Sequence, residues 1–98
     1  LQGLLLLPPD AIPVKFARWS SLWRRWQDWL EDCGVPAVQA CLAHALSFPE
    51  IDRVVVGADS VQQLQQIIDA ANRPFSIDLP DLQCADELLI NPALWDKL

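Results

Sequence analysis

The stretch PEIDRVVVGADSVQQLQQIIDA, residues 49–70, joins a β-branched run to the opening of a helix. Residues 51–56, centred on Val54, Val55 and Val56, read as a short buried strand that Gly57 ends in a tight turn. Ser60 and Gln63 then have the spacing of a capping box, in which the serine hydroxyl and the glutamine side chain satisfy backbone N–H groups at a helix start. The helix they open extends to about residue 72. Val61, Leu64, Ile67, Ile68 and Ala71 form one apolar stripe on it, and Gln62, Gln63, Gln65 and Gln66 lie toward solvent. A strand, a turn and a capped helix leave backbone N–H groups pointing out where α/β folds hold anions and cofactors. Most such turns hold nothing, so the pattern alone marks a place and not an activity.

Outward from this stretch, the remaining segments alternate in the same way. Residues 1–7 form an apolar run bounded by Pro8, the pattern of a parallel strand buried on both faces. Residues 8–13 hold three prolines and read as a loop. Residues 17–33 read as an amphipathic helix, since Trp19, Leu22, Trp23, Trp26, Trp29, Leu30 and Cys33 recur at three- and four-residue steps. Arg18, Arg24, Arg25, Gln27, Asp28, Glu31 and Asp32 fill most of the opposite side. Gly34 suits the position just past a helix end, and Pro36 the first turn of the next helix, residues 36–48, which is apolar nearly all round. Residues 75–80 read as extended or irregular, 81–89 as a short helix broken at Asn91-Pro92, and 93–98 as a last turn. The order strand, helix, helix, strand, helix, tail is a βαβα pattern. Two strands are too few for an independent sheet, so the pattern predicts that the rest of the sheet lies elsewhere.

Composition sets the limits. The chain has 98 residues, enough for one small domain, with 52% hydrophobic residues and 20% charged ones. So apolar a short chain predicts a missing partner surface, and the absence of Met predicts an internal piece of a longer protein. A net charge of −6 with no basic stripe argues against nucleic acid. Cys33, Cys41 and Cys84 lack metal-ligand spacing, and there is one His, so no zinc site is expected. Scattered thiols fit a reducing, cytoplasmic location. The run Leu4-Leu5-Leu6-Leu7 is too short for a membrane span. His44, on an apolar helix, reads as a packing residue, and no nucleophile motif is present. Trp and Arg on opposite sides of residues 17–33 could suit a membrane interface, but Asp28, Glu31 and Asp32 on the same helix favour packing in a core or an interface.

Residues 49–70 resemble the last strand and helix of the aldo/keto reductase family. Three other segments agree with that family in order. LQGLLLL, residues 1–7, resembles a strand and loop with a Gly-Leu-Leu element; residues 34–49, GVPAVQACLAHALSFP, resemble a helix in which Gly-x-x-(Ala/Pro)-x-Gln precedes an Ala-Leu run; and LLINPALW, residues 88–95, resembles an ending seen in bacterial members. Together these span nearly the whole chain.

The resemblance implies that residues 1–98 are one C-terminal α/β fragment of a (β/α)8 (TIM) barrel. The implied parent is an NAD(P)H-dependent carbonyl oxidoreductase acting on aldehydes or ketones, with NADP or NAD bound in the intact protein. It places the adenosine end of the cofactor on Gly57, Ala58, Asp59, Ser60, Gln63, Gln66 and Ile67. The family often has a basic residue where Asp59 stands, an Arg at Gln63 and a Glu-Asn pair at Gln66 and Ile67. These departures predict a preference for NADH or weak NADPH binding. The family's catalytic Asp, Tyr, Lys and His lie earlier in the barrel, and this chain contains no Tyr, so it is expected to carry no catalytic residue and to bind no cofactor in isolation. The upstream part of the same barrel is the implied partner, and the isolated chain is expected to form a homo-oligomer around Trp19, Trp23 and Trp26. The rival readings are a non-catalytic interaction module dimerising through the Trp-rich helix, and an accessory cofactor-binding domain with a different upstream partner.

Overall fold

The computed structural model describes residues 3–73 and 79–98, and among them it contains no β-strand. The expected α/β fragment of a barrel is therefore corrected to an assembly of helices and turns. Four α-helices occur among the described residues: α1 (Ser20–Cys33), α2 (Ala37–Leu46), α3 (Val61–Ala71) and α4 (Glu87–Ile90). Short 3₁₀ helices cover Leu4–Leu6, Pro9–Ala11, Val14–Trp19 and Pro92–Lys97.

Both expected strands fail for a physical reason. Leucine is a weak strand former, and Gly3, at φ 79°, turns the chain into a 3₁₀ helix in which the Leu6 N–H donates to the Gly3 carbonyl at 2.9 Å. The 51–56 segment keeps its β-branched residues but runs irregularly, and Val55 is 97% exposed. Propensity can extend a backbone, but only a neighbouring chain segment can pair its N–H and C=O groups into a sheet. The expectation for residues 75–78 lies outside the described residues, and Leu79 and Pro80 are irregular as expected.

The chain divides into two compact units, Leu1–Cys33 with Pro80–Leu98, and Gly34–Leu79. The core of the first is built from Leu4, Phe16, Trp19, Trp23 and Leu89, with Leu5, Leu7, Ile12, Leu22, Cys84, Leu88, Trp95 and Leu98 packed around them. Both ends of the chain thus share one hydrophobic cluster. A buried indole removes roughly 150–250 Å² from water but brings an N–H that needs an acceptor. The sequence supplies these acceptors: Trp23 Nε1 donates to the Phe16 carbonyl at 3.0 Å, Trp26 Nε1 to the Leu5 carbonyl at 2.9 Å, and Trp95 Nε1 to the Leu89 carbonyl at 2.9 Å. Trp19 Nε1 donates to Asp86 Oδ2 at 3.2 Å. Among the described residues no buried side-chain nitrogen or oxygen lacks a partner.

The amphipathic reading of residues 17–33 agrees with this packing: Trp19, Trp23, Trp26 and Leu30 are buried, Leu22 and Trp29 half-buried, and Cys33 exposed. The helical path begins earlier than expected. Val14–Trp19 winds as a 3₁₀ helix after Pro13 and passes into α1 at Ser20. The 81–89 helix is shortened to α4. Asp81 Oδ1 accepts from the Gln83 N–H at 3.1 Å, a local turn that competes with helix, and Asp86 becomes the cap, its Oδ1 accepting from the Leu88 N–H at 3.1 Å. Asn91 caps the following 3₁₀ helix, with Pro92 in its first turn.

In the second unit, α2 packs against α3. Gly34 precedes α2 at φ 66°, the left-handed conformation expected after the end of α1. A methyl group at Gly34 would meet nothing within 4 Å. Gly34→Ala is therefore expected to cost only backbone strain, about 1–2 kcal/mol. Gly34→Asn should cost less, since asparagine tolerates this conformation. Thermal melts of both variants check this, and equal melting temperatures for Ala and wild type would contradict it.

Candidate functional site

Of the seven residues singled out from the resemblance, the structure brings three into direct contact at the start of α3. Ser60 is extended, at φ −149° and ψ 162°, and its Oγ accepts from the Gln63 N–H at 3.1 Å. The Leu64 N–H donates to the Ser60 carbonyl at 3.1 Å, closing the first helical turn. Gln63 Oε1 accepts from the Asp59 N–H at 2.7 Å. The capping box thus forms with one change: the glutamine reaches past the serine N–H to that of the preceding residue. Ser60→Ala removes the acceptor for the Gln63 N–H and should destabilise α3 by about 1 kcal/mol. All five tryptophans lie in the first unit. Loss of α3 should therefore appear in the helical circular dichroism of the variant and not in its indole fluorescence, and unchanged dichroism through a melt would overturn the assignment.

The other four candidates stand apart from this cap. Gly57 and Ala58 lie exposed in the irregular approach to α3. Gly57 does not adopt a left-handed backbone, and a side chain there would meet nothing within 4 Å. The expected tight glycine turn is corrected accordingly: no neighbour and no backbone angle demands a glycine. Gln66 and Ile67 follow Gln63 by three and four positions and so share its side of the helix, Gln66 exposed and Ile67 half-buried.

Electrostatically, the opening of α3 carries opposing effects. A helix N-terminus acts like about half a positive charge. The Asp59 carboxylate, one residue before the cap, brings a full negative charge to the same end, and Gln63 is neutral.

A cavity of about 350 Å³ lies at the other end of α3, lined by Ala43, Leu46 and Ser47 of the α2 end and by Ala70, Ala71, Asn72 and Arg73. None of the seven candidates lines it. Its lining is alanine-rich, and neither periodicity nor a motif marked it in the sequence; only the packing of α2 on α3 creates it. The Ser47 hydroxyl is already committed, donating to the His44 carbonyl at 2.6 Å.

His44 is exposed and meets Phe48 edge-on, with ring centroids 5.0 Å apart. All three cysteines are free thiols, and burial pushes the pKa of the Cys41 thiol up, which favours its protonated form. Among the described residues no group of three or more His, Cys, Asp or Glu side chains could hold a metal ion, and no helix is long and apolar enough to cross a membrane. Trp19, Trp23 and Trp26, the residues expected at a contact between copies, are buried within the chain itself. Arg18 lies over the Trp19 ring at 5.2 Å, and Arg25 Nη1 donates to the Asp81 carbonyl at 2.7 Å. Arg18 and Arg25 thus serve internal contacts, which the sequence pattern did not reveal.

Compared with known proteins, the chain matches no family model, no curated protein and no solved structure.

Proposed function

We propose that this chain is the C-terminal portion of an NAD(P)H-dependent carbonyl oxidoreductase and that it contributes a nucleotide-facing helix entrance but no catalytic group. The order of four sequence segments that resemble aldo/keto reductases supports this reading, and two of them, residues 1–7 and 49–70, bear on it by sequence alone, since Leu4–Leu6 winds as a 3₁₀ helix and 51–56 runs irregularly. Reduction of a carbonyl needs a proton donor beside the hydride acceptor, and in that family the donor is a Tyr; this chain has none.

The observation that carries the proposal is the open end of α3. Asp59, Ser60 and Gln63 form an ordered, exposed cap. The same segment leaves Val55, Val56, Val61, Leu64 and Ile68 exposed, Val61 at 84%. Apolar exposure of this extent on a short chain fits a surface that another part of the same protein covers. Of the apolar stripe on α3, Ile67 is half-buried, whereas Val61, Leu64, Ile68 and Ala71 stay exposed.

The test is activity. The isolated chain should show no NADPH- or NADH-dependent reduction of aldehydes, followed as loss of nicotinamide absorbance. Joined to the polypeptide encoded upstream of it, it should support turnover. Reductase activity that stays with the isolated chain through rigorous purification would end this reading. So would an upstream polypeptide that reduces carbonyls equally well without it.

A further inference from the structure

We draw no further inference here: the strongest candidate, the exposed apolar face of the second unit formed by Val55, Val56, Val61, Leu64 and Ile68, adjoins the site already described, and nothing in the structure shows what covers it.

Discussion

Phe16→Ala is expected to unfold the first unit, or to leave it so close to unfolding that dilute urea completes the transition. Phe16 is 2% exposed and belongs to the cluster that joins the two ends of the chain. Its ring meets Trp95 edge-on at 4.8 Å and lies 6.3 Å from the Trp19 ring. Removing a buried phenyl group costs about 3–5 kcal/mol through lost transfer energy and the cavity left behind. A body of about fifty residues has on the order of 3–8 kcal/mol to lose. The backbone of Phe16 matters as well, since its carbonyl accepts from Trp23 Nε1, but the substitution leaves that bond chemically possible. The loss is therefore assigned to packing alone, and Phe16→Leu should retain more than half of the stability. Tryptophan fluorescence in a urea titration reads this unit selectively, because it holds every indole of the chain. A midpoint for Phe16→Ala within error of wild type would show that this cluster does not hold the two chain ends together.

The helices were legible in the sequence where a local signal and a periodic one agreed. Tryptophans at three- and four-residue steps gave the buried side of α1, and Gly34 marked its end with the left-handed backbone observed there. Ser60 and Gln63 located the start of α3 to the residue, because a cap is a local bond between side chain and backbone that needs no tertiary partner. The strands were not legible in the same sense. Three consecutive valines report a preference for extended backbone and for burial, but a ladder forms only with a neighbour, and 51–56 has none among the described residues. The leucines at 4–6 satisfied the same apolar pattern and were captured by a local 3₁₀ turn. The α4 boundary moved because Asp81 and Asp86 offered competing local bonds, and nothing in their spacing said which would start the helix. For the candidate site the division is similar. The cap was readable, whereas the direction of the apolar stripe beside it depended on what packs against α3, a property of the tertiary arrangement that no periodicity encodes.

Asp59→Arg combined with Gln63→Arg should move the cofactor preference of the intact oxidoreductase proposed above toward NADPH by a factor of about ten or more. NADPH differs from NADH by a 2′-phosphate, and under the proposed function the adenosine side would lie at the α3 entrance. A 2′-phosphate at this entrance would be repelled by the Asp59 carboxylate, and Gln63 offers no charge; its Oε1 is already engaged with the Asp59 N–H. The double substitution replaces one negative charge by a positive one and adds a second guanidinium, each able to make charge-assisted bonds worth about 1.5–3 kcal/mol. Part of that gain is offset, because Gln63→Arg removes the acceptor for the Asp59 N–H, whereas Ser60 keeps the cap on the residue 63 N–H. Single variants separate the two contributions: Asp59→Asn should relieve repulsion without adding attraction and give the smaller shift. Salt provides an independent check, since the advantage of the double variant should shrink as ionic strength rises and exposed charges are screened. Titrations of both cofactors at low and high salt decide the matter. Tight NADPH binding by wild type that the double variant leaves unchanged would show that the phosphate does not sit at this helix entrance, and a shift insensitive to salt would show that the added charges are not what moves it.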